Sequence, residues 1–200
     1  MKPHNIIREA GVIVLITLML LCFAQSAVAQ GNLVVNGGFD TDASGWTITN
    51  VSAGGGYISF VGNPAGSVYL NNPSLPPVPT ASQEINSLTP GVLYIVSGDY
   101  QKAAGKNVTG NSFGVALDGV FLFETAAPAD SNWHSFNFDY TATSTSALLS
   151  LSAQINGTDY AYSIDNIAMY VVPEPSDWSL ILLGSGLLIC VRARLWRRVD

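Results

Sequence analysis

The sequence predicts an all-β body of two packed antiparallel sheets, placed between two short apolar end segments. Three observations predict it. Apolar and polar residues alternate over many short stretches, Gly, Pro and Asn separate these stretches, and no stretch of the body keeps a helical period. About ten short strands result, which favours a β-sandwich and leaves a closed barrel as the alternative.

The individual strands follow from this alternation and from the turns between them. One face alternates clearly over residues 93–96, 134–140 and 149–155. Asp118-Gly119 separates the apolar runs Ser112 to Leu117 and Val120 to Phe123. Because Gly accepts a positive φ, this dipeptide predicts a hairpin with a type I′ turn. Four prolines predict an exposed loop over Asn71 to Pro79.

Charge is scarce and uneven along the chain. Only 11% of the 200 residues are charged, and 48% are hydrophobic. From Gln30 to Val172 there are two lysines and ten acidic residues, a formal charge of −8. This composition excludes a coiled coil and a charge-rich disordered chain. A phosphate backbone would be repelled, so nucleic acid is excluded as a partner.

Residues 1–29 have the pattern of a secretory signal peptide. Lys2 and Arg8 precede an apolar run from Gly11 to Ala24, and Ala27-Val28-Ala29 forms a box of small residues. Signal peptidase would therefore cleave after Ala29 and leave Gln30 as the new terminus. An uncleaved membrane anchor is the alternative.

Residues 173–200 form the most specific pattern in the chain. The motif Pro173-Glu174-Pro175 precedes a short transmembrane helix predicted at about residues 178–191, and four arginines follow between 192 and 198. This tail resembles the PEP-CTERM sorting signal of exported proteins from Gram-negative bacteria that make extracellular polysaccharide. The resemblance implies exosortase as a processing partner. It also implies a transient inner-membrane anchor and then release to the cell surface or extracellular matrix. An ordinary anchor with an accidental motif is the alternative.

Both cysteines, Cys22 and Cys190, lie inside these end segments. The body of residues 30–172 therefore contains no disulfide. It also contains no zinc site built on cysteine and no catalytic thiol.

Four motifs in the body occur in a specific order. They are the opening Asn32 to Asp40 with Gly45-Trp46, the turn Leu88 to Gly91, Trp133 at the start of an aromatic strand, and the closing Tyr162 to Ile167. In this order they resemble the galactose-binding-like jelly roll of bacterial carbohydrate-binding modules. The resemblance implies that Trp46 and Trp133 are core residues. Asp40 and Asn166 depart from the Glu and Asp that many relatives carry.

The same resemblance implies a structural calcium ion where the opening and closing strands lie side by side, with Asp40 and Asp165 as ligands. Calcium takes six to eight oxygen ligands, so two carboxylates alone are not sufficient. The alternative is that Asp40 caps a turn and Asp165 accepts backbone N–H bonds near a bulge.

Sugar binding would need an aromatic ring beside amide or hydroxyl groups in an exposed groove. The candidates for such a groove are Tyr69, Gln83, Tyr100 and Gln101.

Catalytic motifs are missing from the sequence of the body. His134 is its one histidine, and we interpret it as a strand residue; no Gly-x-Ser-x-Gly elbow or Walker loop occurs. The sequence therefore predicts a non-enzymatic exported β-sandwich that associates with extracellular polysaccharide or the cell surface. A structural matrix protein that binds other proteins is the alternative, and a polysaccharide-acting enzyme is a distant one.

Overall fold

In a computed structural model of the chain, two five-stranded antiparallel sheets pack face to face. The structure describes residues 31–72, 77–104, 111–154 and 160–172. Within these residues, ten strands are present: β1 Thr47–Thr49, β2 Gly56–Gly62, β3 Ala65–Asn72, β4 Thr80–Asn86, β5 Leu93–Lys102, β6 Ser112–Leu117, β7 Val120–Ala126, β8 Trp133–Thr141, β9 Ser146–Gln154 and β10 Tyr160–Val171.

The first sheet has the order β1-β4-β9-β6-β7, and the second has the order β2-β3-β10-β5-β8. Neighbours in a sheet are mostly distant in sequence, as expected for a jelly roll. The predicted sandwich is therefore confirmed, and the barrel is not formed.

The core lies between the two sheets and is rich in aromatic rings. Tyr100 stacks on Phe113 with ring centroids 4.8 Å apart, and Phe136 and Tyr162 each lie 5.9 Å from Phe113. Burying a large apolar side chain stabilises a fold by about 1.5–3 kcal/mol, so this cluster is a major source of stability.

The predicted hairpin is present with the predicted turn. Asp118 and Gly119 have φ values of 51° and 80°, the pair of positive angles that defines a type I′ turn. The predicted face of strand β8 also points inward. Phe136 is buried, and Phe138 and Tyr140 pack against the core.

The opening segment lies beside the closing strand, as the resemblance implies. Leu33 N donates to Met169 O and Ile167 N donates to Gly37 O, both at 2.9 Å. A Cβ atom at Gly37 would lie 1.9 Å from Ile167 O, so only glycine allows this close approach.

The predicted loop over Asn71 to Pro79 begins later than expected, because β3 continues through Asn72 to pair with Tyr160 of β10.

In the part of the chain that the structure describes, no helix is long and apolar enough to cross a membrane. The predicted signal peptide and sorting tail lie outside the described residues.

Candidate functional site

The outer face of the first sheet carries a row of small side chains along its central strands. They are Gly114 and Ala116 on β6, and Ser150 and Ser152 on β9. Ala116 and Ser152 are only 3% and 7% exposed, although both point away from the core. Outward residues of a flat sheet are normally open to solvent, so neighbouring groups must screen these two, whereas Ser150 is half-buried. We call this row of small residues the floor, and we call the floor together with its flanking side chains the trough.

Strand β7 forms one wall of the trough. Phe121 pairs with Ala116 and Glu124 pairs with Gly114, so both side chains stand on the trough side. A bulge between Val115 and Ala116 inserts Leu122 as an extra residue. Phe121 remains 46% exposed. The wall therefore presents an accessible aromatic ring beside a carboxylate.

A depression of about 380 Å³ lies at the opposite side of the same face, over β1, β4 and β9. Its volume falls within the range of about 300–1,000 Å³ typical of small-molecule sites. It combines apolar side chains, hydroxyl groups and one carboxylate; its lining residues are Val35, Gly45, Thr47, Ser82, Gln83, Glu84 and Leu148.

Gln83 lies at the bottom of this depression. We expected an exposed ligand-binding residue at this position, and the structure corrects that expectation. It is 6% exposed. Its Oε1 accepts from Val35 N at 2.8 Å, and its Nε2 donates to Val35 O at 2.9 Å and Gly45 O at 3.0 Å. Both amide hydrogens are thus engaged. Gln83 holds the opening segment against β4 and shapes the depression from below.

Tyr100 was expected in an exposed groove, and this expectation is wrong. It is 6% exposed and stacks on Phe113 in the core. The reason is that side chains alternate between the two faces of a strand, and on β5 the set Tyr94, Val96 and Tyr100 points inward.

Tyr69 and Gln101 lie on the opposite side of the sandwich from the trough. The register aligns them in one row on the outer face of the second sheet, in the order Tyr69, Ser163, Gln101 and Trp133. Gln101 Nε2 donates to Ser131 O. Trp133 is half-buried on this face, which corrects the expectation of a core position, whereas Trp46 is buried as expected. Sugar binding by Tyr69 and Gln101 stays a prediction.

Asp165 lies in a buried corner of the second sheet, at the bulge of β10. Its Oδ2 accepts from Asn63 N at 2.6 Å and its Oδ1 accepts from Asn166 N at 2.7 Å. Asp99 of β5 pairs directly with Asp165. Asp99 accepts from Ser135 Oγ at 2.7 Å and from Asn166 Nδ2 at 2.9 Å.

Burial raises the pKa of Asp165 to about 6. The two backbone donors lower the pKa and oppose this effect, and the carboxylates of Asp99 and Asp40 raise it further. The three carboxylates repel one another, so a cation would relieve them. However, both oxygens of Asp165 already accept N–H donors, as the alternative to calcium binding requires.

The fit to a calcium ion is therefore incomplete. Among the described residues, no three His, Cys, Asp or Glu side chains are grouped so that they could hold a metal ion. The calcium site formed by Asp40 and Asp165 stays a prediction.

His134 occupies the strand position expected of it. It lies on β8, and its Nε2 is 2.7 Å from Asp130 Oδ1. The facing pair Asp99 and Asp165 does not line an open cleft, since Asp165 is fully buried. The described geometry thus shows neither a His-centred triad nor opposed carboxylates around a substrate-sized space.

No protein-family model and no curated protein matches the sequence. Solved structures do share the fold. A carbohydrate-binding module described as TmCBM61, in complex with β-1,4-galactotriose, is 16% identical with a TM-score of 0.56, and the match covers 72% of this chain and 100% of that one. The CBM22-1 xylan-binding domain from Paenibacillus barcinonensis Xyn10C is 16% identical with a TM-score of 0.51, covering 74% and 99%.

An enzymatically active domain shares the fold as well. Tailspike protein 4 of bacteriophage CBA120 is 16% identical with a TM-score of 0.52, and the match covers 70% of this chain but only 21% of the tailspike chain. At these identities the similarity shows the fold alone. The body is a jelly roll of the kind found in carbohydrate-binding modules.

Proposed function

We propose that the chain is a non-enzymatic polysaccharide-binding protein and that the trough is its binding surface. The observation that carries the proposal is the floor of small, mostly buried outward residues, which lies between a wall with an exposed Phe121 and a depression lined by apolar and polar side chains. A sugar presents an apolar face that can stack on an aromatic ring, and hydroxyls that need hydrogen-bond partners. Ser150, the half-buried serine of the floor, supplies such a partner.

The size of this face suits a chain of sugars. Five strands at a spacing of about 4.8 Å span roughly 19 Å from β1 to β7. Phe121 and the depression lie near opposite ends of this span. A polysaccharide could contact both at once, whereas a single sugar could not.

The separation of the trough carboxylates favours binding over hydrolysis. Glu84 on β4 and Glu124 on β7 are three strands apart and two rows apart along the strands. Strand geometry places them roughly 20 Å from each other. Glycosidases need their two carboxyl groups about 5–9.5 Å apart. This separation supports the non-enzymatic role.

We further propose that the protein is exported. The pattern before Ala29 supports cleavage by signal peptidase, and Pro173-Glu174-Pro175 with its arginines supports sorting by exosortase. In a Gram-negative bacterium the protein would be anchored briefly in the inner membrane and then reach the cell surface or the extracellular matrix. Binding of polysaccharide would keep it there.

A structural matrix role, with the sandwich binding other proteins, is the second candidate. Tyr170 and Ile95 are paired neighbours on the outer face of the second sheet, and both are exposed. An exposed apolar pair of this kind favours a protein partner more than a glycan.

The test is glycan-array binding of the full-length chain in detergent, with Phe121→Ala as the variant. Loss of ring stacking should weaken binding about two- to tenfold, since aromatic contacts are worth about 0.5–1.5 kcal/mol. Phe60→Ala is the matched control, because Phe60 is an exposed ring on β2 of the other sheet. Equal binding by the Phe121 variant and the original protein would contradict the proposal.

A further inference from the structure

The first sheet carries no positive charge on its strands. Within β1, β4, β6, β7 and β9 there is no Lys, Arg or His, whereas Glu84 and Glu124 both point to the trough. The field at this face is therefore negative, in keeping with the formal charge of −8 between Gln30 and Val172. Uronic acids and sulfated sugars would be repelled from it.

The two glutamates differ in their partners. Glu124 Oε1 accepts a hydrogen bond from Ser112 Oγ at 2.9 Å. Glu84, at the depression, makes no hydrogen bond or ion pair with any residue that the structure describes. Its carboxylate is thus the free acceptor of the depression, set beside the exposed apolar side chains of Val35 and Leu148.

We infer that the depression binds a sugar with a protonated amino group, such as an N-deacetylated amino sugar of a polysaccharide. This inference rests on the proposed polysaccharide-binding function and narrows its substrate class. The ammonium group would donate to the Glu84 carboxylate, and the hydroxyls of Thr47 and Ser82 would bond to the sugar hydroxyls. Leu148 and Val35 would cover the C–H face of the ring.

An uncharged sugar can also donate hydroxyls to Glu84, so binding alone does not test the inference. The test is the ratio of the affinities for the amine sugar and for an uncharged sugar. An exposed ion pair is worth up to about 1 kcal/mol, which corresponds to about fivefold in affinity. The preference should decrease as salt concentration rises, because exposed charges are screened.

The experiment compares two oligosaccharides of equal length, one with free amines (chitosan type) and one fully N-acetylated (chitin type), by calorimetry with the full-length chain in detergent. The amine form should bind about fivefold more tightly at low salt. Glu84→Gln should remove this preference, because its neutral amide oxygen can still accept a hydroxyl but no longer attracts an ammonium group. Asp139→Asn is the control variant, since Asp139 is exposed on β8 of the other sheet.

Three outcomes would overturn the inference. If both forms bind equally, the amine is not recognised, and the proposed function stands. If Glu84→Gln keeps the preference, the amine is recognised elsewhere. If neither these oligosaccharides nor any glycan of the array binds, the proposed function itself fails.

Discussion

Stability should fall as pH rises through the range in which Asp165 loses its proton. The pKa of this carboxyl is raised from 3.8 to about 6 in the folded chain, mainly by burial. The folded protein therefore holds the proton over a range in which the unfolded chain has already released it. The stabilising contribution is complete below about pH 4 and is lost progressively up to about pH 6.

The magnitude follows from the size of the shift. Each pKa unit corresponds to 1.36 kcal/mol, so a shift of about two units is worth roughly 3 kcal/mol. In a domain of this size, that amount lowers the melting temperature by about 10 °C. The exposed acids Asp42 and Asp130 have lowered pKa values and act in the opposite direction, so a matched variant is needed to isolate Asp165.

The assay is thermal melting from pH 4 to pH 7 in the presence of a chelator, for the original chain, Asp165→Asn and the control Asp139→Asn. The Asp165→Asn variant should melt close to the original at pH 4 and higher at pH 7, because its amide never ionises. A carboxylate that accepts two backbone N–H bonds can instead have a lowered pKa. A melting temperature that rises with pH only when Asp165 is present would show that these two bonds dominate, and would refute the reasoning.

Three further predictions concern processing, folding and calcium. Exported protein from the producing bacterium should begin at Gln30 and lack the arginine cluster; intact-mass measurement checks this, and residues 178–198 still attached to most molecules would contradict it. Residues 30–172 should fold alone, and circular dichroism of this fragment should show strand with less than roughly a fifth helix, against about a third in typical proteins. If calcium binds Asp40 and Asp165, free calcium at about 100 times its dissociation constant should add roughly 2.7 kcal/mol, and Asp165→Asn should abolish most of the gain. Equal melting temperatures with calcium and with chelator would leave both aspartates as turn and bulge residues.

The local elements of the fold could be predicted because each depends on neighbouring residues. The type I′ turn at Asp118-Gly119 and the inward face of β8 both follow from a few positions in sequence. The alternation along β5 also separates Tyr100 from Gln101, because consecutive residues of a strand point to opposite faces. The prediction that both residues line one groove is inconsistent with that alternation.

The trough could not be predicted, since it depends on strand order. Ala116, Ser150 and Ser82 become neighbours only because β6, β9 and β4 lie side by side, although they are far apart in sequence. Small outward residues have no pattern of their own that indicates a binding surface. The structural role of Gln83 also depends on a loop 48 positions away, to which its amide bonds.

The pairing of the opening segment with β10 has a mechanical consequence. The chain enters the body near Leu33 and leaves it at the end of β10, and Leu33 is bonded to Met169 near that end. Tension that pulls residue 31 away from β10 would therefore load the bonds of Asn32 and Leu33 to Met169 first and the bond from Ile167 to Gly37 afterwards. Bonds broken in succession resist far less force than bonds sheared together. A pull on residue 31 would break these bonds one after another, while β10 stays paired with β5 behind them.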